Sequence, residues 1–385
     1  MTSRQRFLAA LDGSLPDRLP VTTHHLMPSF LDDVLGGETA DGFFDRFGLD
    51  PVTWPAAFLP DTARGQYADP AHLPGACEGR RVLSDEWIIR QEEIDDPAYR
   101  TVRYSFHTPE KTLRMALQSD RHTSWVSERL VKEKSDIEVI ARHAPAIACD
   151  IREINARADA FGERGLVRGA GLSFEVYGQP GCWQDAAVLF GIEELIFATF
   201  DDPDWVRAFL SILQQRKRAY IESLAGARYD LIELGGGDAS STVISPRIFE
   251  DFVAPFDAPL IDAAHAAGQR VVYHLCGGIM PVLDAVAAMR PDAIETFTPE
   301  AMGGDADLAE AKRRLAGAVC MIGGFDQFHF FRGCTPQSTR DEVRRCFAEA
   351  GEGGRYILCP SDHFFDASPE LLEAYADEAR RCRYA

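Results

Sequence analysis

The stretch "VVYHLCGGIMPVLDAV" places His274 and Cys276 one residue apart at the end of an apolar run. In an extended strand, residues i and i+2 point to the same side, so an imidazole nitrogen and a cysteine sulfur can reach one point in space. That is half of a tetrahedral zinc site. The competing reading is plain packing, because cysteine is among the most buried residue types and a histidine often just finishes a strand. A second apolar run, "RYILC", ends in Cys359. One nitrogen and two sulfurs would leave the fourth zinc position open to water, substrate or an activated thiol, and an open position marks a catalytic site.

For these residues to meet, the chain must bring several strand ends to one face. After Lys132 its rhythm is that of helices alternating with strands. Apolar runs at "GLVRGAG", "YDLIEL", "RVVYHL", "DAIETF", "AVCMIG" and "RYILC" are separated by helical segments, the later ones starting near Pro246, Gly278, Asp307, Thr335 and Pro369. That alternation predicts an α/β fold with a parallel sheet, either open or closed into a barrel, and in both the active site lies at the carboxyl ends of the strands. Glu233, Glu295 and Asp326 stand late in or just after such runs, as do His274, Cys276 and Cys359.

Upstream, Ser3 is placed to cap a first helix with Phe7, Leu8 and Leu11 on its apolar face and Gly13 at its exit, and "PDRLPVTT" reads as a turn into a short strand. From Arg81 to Val131 β-branched and aromatic residues dominate, which predicts an antiparallel excursion inserted into the alternating pattern. With no fixed-period repeat and no low-complexity linker, residues 1–385 read as a single domain carrying this β-rich insertion at about 81–131.

Composition narrows the function. The 385-residue chain is 46% hydrophobic and 26% charged, with a formal charge of −20. An acidic surface argues against nucleic acid or an anionic membrane as a partner. The N-terminus lacks the apolar stretch of a secretory signal, and no segment matches a membrane span, so a cytoplasmic location is expected. The nine cysteines are odd in number and scattered, as free thiols in a reducing compartment would be. Cys320, Cys346 and Cys382 read as structural, while Cys182 beside Trp183 stays open.

Several groups near strand ends have both a chemical and an ordinary reading. Glu175 in "GLSFEVYG" and Glu233 in "IELGGGD" can orient a substrate, protonate a leaving group or complete a zinc sphere, or they can be satisfied barrel carboxylates. Asp326 in "GGFDQ" is either near the site or a helix cap. His24 and His25 can line a pocket, although a plain loop pair is the better reading. Gly235, Gly236 and Gly237 read as a tight turn, because no Lys or Arg follows to bind phosphate.

Taken together, "SRQRFLAALDGSLPDRLPV", "FGIEELIFATFDDPDWVRAFL", "HLCGGIMPVLDAVAAMRPDAIETFTPE", "GGFDQFHFFRGCTPQSTRDEVRRCF" and "GGRYILCPSDHFFDASPELLEAYADEARR" resemble the uroporphyrinogen decarboxylase superfamily. The likeness is weakest from Arg81 to Val131. It implies a distorted (β/α)8 TIM-like barrel. The decarboxylase proper is metal-free and holds its substrate with an N-terminal arginine motif, where this chain has "TTHHLMPSFLDD". The His-x-Cys pair with a later single Cys resembles instead the superfamily's corrinoid-dependent zinc methyltransferases. That resemblance implies zinc on His274, Cys276 and Cys359; Glu175, Glu233 and Asp326 are the catalytic candidates from their places near strand ends. The resemblance also implies methyl transfer between a small methylated compound and a corrinoid or a thiol or folate acceptor. The chain has no Asp-x-His-x-x-Gly signature, so the corrinoid would ride on a separate partner protein; a homodimer is also compatible. The alternatives are a metal-free decarboxylase and a non-catalytic small-molecule-binding relative. Trp87, Tyr104, Phe106 and Trp125 in the insertion are expected either to wall a pocket for an apolar methyl donor such as a methoxylated aromatic, or to bury the sheet's inner face.

Overall fold

The computed structural model describes residues 1–59, 84–120, 123–174, 179–331, 333–361 and 366–384. The apolar runs pair in parallel, in chain order: β1 (Val52–Thr53), β2 (Leu166–Ala170), β3 (Leu231–Gly235), β4 (Val271–His274), β5 (Ala293–Thr296), β6 (Cys320–Phe325) and β7 (Tyr356–Pro360). Nearly every residue of β2 to β7 is buried, as a sheet covered on both faces requires. The segment at Val21 then closes the ring. It bridges Leu358 of β7 in parallel, with Thr22 N–H donating to Leu358 O at 3.0 Å, and on its other side Val21 O accepts from Asp50 N–H at 2.7 Å. Eight parallel segments thus make a barrel, distorted because the Val21 segment contributes one bridge and β1 two residues.

The barrel interior has two storeys. Below, Leu166, Leu231, Val272, Ala293, Cys320, Ile322 and Ile357 pack against Phe7, Ala10 and Leu11 of the first helix, Ser3–Asp12, which plugs the amino end of the barrel. That helix starts one residue earlier than its Ser suggests. Thr2 is the cap, accepting from Gln5 N–H while the Gln5 side chain accepts from Thr2 N–H, a reciprocal capping box. Gly13 ends the helix at φ 80°, as expected. Asp50, fully buried, ties plug to barrel: it accepts from Arg6 at 2.6 Å, from Arg18 at 2.9 Å, from Ser3 at 2.8 Å and from Val21 N–H at 3.0 Å. Outside the sheet lie the helices, among them Cys182–Phe190, Ile192–Asp201 and Pro203–Glu222. The helix after β4 begins at Leu283, later than Gly278, because the chain first turns through Gly277 and Gly278, which are held by Thr298 and Thr242. None of the described helices is long and apolar enough to cross a membrane.

The insertion is a four-stranded antiparallel sheet, Ile88–Ile94, Arg100–His107, Thr112–Ser119 and Ser124–Glu128. Alternation decides which side chains it buries. Val102, Tyr104 and Phe106 face Leu117, Met115 and Leu113 across one strand pair, all buried. Trp87 stacks on Phe106 at 5.3 Å and reaches Phe174 at 6.4 Å. Trp125 is on the other face, against Tyr99 at 4.8 Å. Trp87, Tyr104 and Phe106 therefore bury the inner face, the ordinary one of the two readings.

Two outcomes follow from this packing. Phe106→Ala should cost about 3–5 kcal/mol in chemical denaturation, the usual penalty for emptying a packed aromatic site, and should leave metal content unchanged. Asp50→Ala removes the fully buried carboxylate shared by Arg6 and Arg18 and should cost about 3–5 kcal/mol by the same measurement; a loss below about 1 kcal/mol would show that the carboxylate does not hold the barrel closed.

Candidate functional site

Above the apolar storey the inward positions become polar. In each strand the residue two beyond an inward apolar side chain also faces in, and these are Arg168 after Leu166, Glu233 after Leu231, His274 after Val272, Glu295 after Ala293 and Cys359 after Ile357. Register sets His274 directly beside Glu295.

Arg168 is the hub of this layer. Its guanidinium grips both oxygens of Glu295, at 2.9 and 2.8 Å, and reaches Glu233 Oε2 at 3.1 Å. The Trp54 ring covers the guanidinium, 4.1 Å from centroid to Cζ. All of Arg168, Glu233 and Glu295 are buried, so one cation serves two carboxylates. Burial raises the Glu233 carboxyl above its ordinary range, and neighbouring Glu295 adds to that rise. Burial opposes the charge on Glu295 as well, but Arg168 and His274 outweigh it and hold that carboxyl well below the usual range. The surroundings therefore shift the two carboxyls in opposite directions, Glu233 upward and Glu295 downward.

His274 Nδ1 lies 3.1 Å from Glu295 Oε1. Facing a carboxylate held ionised by Arg168, Nδ1 carries the proton and donates it. Burial disfavours a charged imidazole, yet Cys276, Glu295 and Glu233 together raise the His274 pKa well above the ordinary value. Nε2, the other nitrogen, is buried with no hydrogen-bond partner among the described residues. His24 stacks on His274 at 5.4 Å and on His25 at 4.8 Å, and His25 in turn lies 4.5 Å from Trp54. Beyond these rings a cavity of about 440 Å³, lined by His24, His25, Trp54, Phe44, Arg157 and Arg164, opens beside the layer.

Cys276 stands at the exit of β4, partly buried, and a Cβ at Gly237 would come 2.6 Å from its sulfur. Glycine at 237 is what leaves the thiol its room. Gly235 ends β3 at φ 96°, where a side chain would be strained, so the triple glycine is the tight turn expected of it. Cys359 is buried in the barrel interior; burial raises its thiol well above the ordinary value, and Glu295 adds to this while Arg168 opposes it. Cys320 lies deep in the apolar storey, pushed up to about 12 by burial, as a structural thiol should be. Cys182 sits outside the strands, its N–H donating to Asp257, which also accepts from the outward-facing Tyr273.

Among the described residues, the three metal-capable groups whose donor atoms lie within 4.8 Å of one another are His24, His274 and Glu295. They are close because His274 and Glu295 are hydrogen-bonded, and both Glu295 oxygens already serve Arg168, so that carboxylate has little left to offer an ion. The set His274, Cys276 and Cys359 is not drawn up to that spacing. The donor chemistry nevertheless suits zinc: a buried imidazole nitrogen without a partner, its other nitrogen fixed by a carboxylate, with a thiol two residues on. Asp326 caps the short turn after β6, accepting from Phe328 N–H at 3.0 Å. Glu175 lies outside the described residues; the loop leading to it is anchored by buried Lys217, which donates to Leu172 O and Asp185, and Asp185 accepts from Phe174 N–H.

The sequence did not single out Arg168; it marked Glu295 only by its place late in a strand, and His24 only as half of a pair that can line a pocket. The signal for Arg168 was a lone charge at an inward position of an apolar strand; for Glu295, its place level with His274; for His24, its place at the carboxyl end of the first barrel segment.

A family model described as uroporphyrinogen decarboxylase (URO-D) matches residues 178–382, just over half of the chain. Among solved structures, a methyltransferase from Methanosarcina mazei superposes with a TM-score of 0.62 at 16% identity, covering 99% of this chain and 99% of that chain. It shares the fold. A B12-independent methionine synthase from a Shewanella species aligns over 94% of this chain and 98% of that chain, with a TM-score of 0.40 and 11% identity, too low to carry an argument. No curated protein sequence matches.

Replacing Arg168 by Met leaves two buried carboxyl groups without their cation and should destabilise the protein by about 3–5 kcal/mol in urea denaturation. Adding Glu233→Gln should recover part of that loss, because a neutral amide does not need the guanidinium; strictly additive losses would contradict the coupling.

Proposed function

The chain belongs to the uroporphyrinogen decarboxylase family, and from that we propose that it is a zinc-dependent methyltransferase. It moves a methyl group between a small methylated compound and a corrinoid carried by a separate protein, or a thiol or folate acceptor. The observation that carries this reading is the His274 imidazole, buried, oriented through Nδ1 by Glu295 and with Nε2 unpartnered, two residues before Cys276. His274, Cys276 and Cys359 would hold the zinc. When bound, zinc keeps an acceptor thiol as thiolate or polarises the heteroatom that loses its methyl group.

The chain's own residues supply the rest. Glu295 fixes the imidazole, and Arg168 keeps Glu295 ionised. Glu233, buried beside the same guanidinium with its carboxyl raised above the ordinary range, is placed to protonate a heteroatom whose methyl group departs. A metal-free decarboxylase needs cations free to receive substrate carboxylates, and Arg168 is already engaged by Glu233 and Glu295. That favours the methyltransferase over the decarboxylase.

Elemental analysis of purified wild type should find about one zinc per chain, and both Cys276→Ala and Cys359→Ala should lose it. Full metal retention in both variants would remove the assignment. Methyl transfer to free cob(I)alamin, followed by its visible spectrum, should depend on the same two cysteines; turnover of uroporphyrinogen by the metal-free protein would support the decarboxylase instead.

A further inference from the structure

We propose that Arg168 and Glu295 form a positioning pair that decides which nitrogen of His274 is offered to the metal, an inference that rests on the zinc reading above. A metal-bound imidazole coordinates through one nitrogen and keeps a proton on the other, and the hydrogen bond made by one nitrogen determines the role of the other. Glu295 is 3.1 Å from Nδ1, on the strand adjacent to β4 and in register with His274, so Nδ1 is the nitrogen that stays protonated. Nε2 is then the ligand, and it is the nitrogen with no other partner among the described residues.

Glu295 alone could not do this reliably. Without Arg168 the carboxylate could turn about its own side-chain bonds and lose its 3.1 Å contact with Nδ1. Arg168 prevents that by binding both Glu295 oxygens in the planar fork that only a guanidinium offers. Trp54, its ring centroid 4.1 Å from Cζ, covers the guanidinium. The chain of control runs from β2 through Arg168 to Glu295 on β5 and back to His274 on β4. Both members act through His274, so neither need touch substrate or metal.

The test uses the full-length protein as wild type, Glu295→Gln and Arg168→Lys, each checked by circular dichroism for native secondary structure. Zinc affinity is read by competition with a chromophoric chelator. Glu295→Gln should weaken zinc binding about 10–100-fold, the usual effect of losing a carboxylate behind a metal-bound histidine. Arg168→Lys should weaken it less, because an ammonium keeps the charge but lacks the fork. A second reading needs no metal: nitrogen-15 NMR of histidine-labelled, metal-free protein should show a slowly exchanging Nδ1 proton on His274 that disappears in Glu295→Gln. Unchanged zinc affinity in a folded Glu295→Gln or Arg168→Lys protein, or an Nδ1 proton that survives Glu295→Gln, would overturn the proposal. If wild type takes up no zinc while the Nδ1 proton behaves as described, the zinc reading fails and the Glu295–His274 orientation stands without it.

Discussion

A guanidinium buried inside a barrel is tolerable only if its charge is met at close range, and Arg168 imposes that condition on everything around it. Glu295 meets it with both oxygens and Glu233 with one, from strands on either side of β4. Trp54 covers its face from the loop after β1. Because each partner is fixed by Arg168, the strands that carry them are fixed relative to one another at the height where chemistry would occur. The apolar storey below, plugged by Phe7, Ala10 and Leu11, keeps water from entering beneath and so makes these charge interactions matter more.

This arrangement divides the layer in two. Toward β4 it ends in His274, whose free nitrogen faces the same side as Cys276. Toward β3 it ends in Glu233, whose carboxyl burial and neighbouring Glu295 raise above the ordinary range. An oriented imidazole and a carboxyl of raised pKa thus stand on either side of the same cation. The two histidine rings at 24 and 25 and the Trp54 ring close the layer on the side of the lateral cavity.

The barrel was legible in the sequence because its strands are short apolar runs spaced by helices, and a sheet covered on both faces needs such runs. The ends of those runs pointed correctly to Glu233, His274 and Cys359 as inward groups, since alternation is fixed once a strand is recognised. Arg168 escaped, and Glu295 was marked at a strand end without a role, because their importance lies in pairing across three strands, and strand register is not written in any one segment. Trp87, Tyr104 and Phe106 looked equally suited to a pocket wall and to a core; only the pairing of Phe106 with Leu113 and Tyr104 with Met115 shows that they face one apolar layer. Asp326 had the same ambiguity and is seen capping a turn. That His274, Cys276 and Cys359 do not all come within 4.8 Å of one another was likewise invisible, because i, i+2 geometry gives a direction and no distance.

The central claim is that this layer presents one imidazole nitrogen to a zinc ion whose other protein ligands are sulfur. X-ray absorption at the zinc edge of the purified protein reads that directly. The account predicts a first shell with one imidazole nitrogen at about 2.0–2.1 Å and two sulfurs at about 2.3 Å. A shell of nitrogen and oxygen donors without sulfur, as His24, His274 and Glu295 would supply, would contradict it.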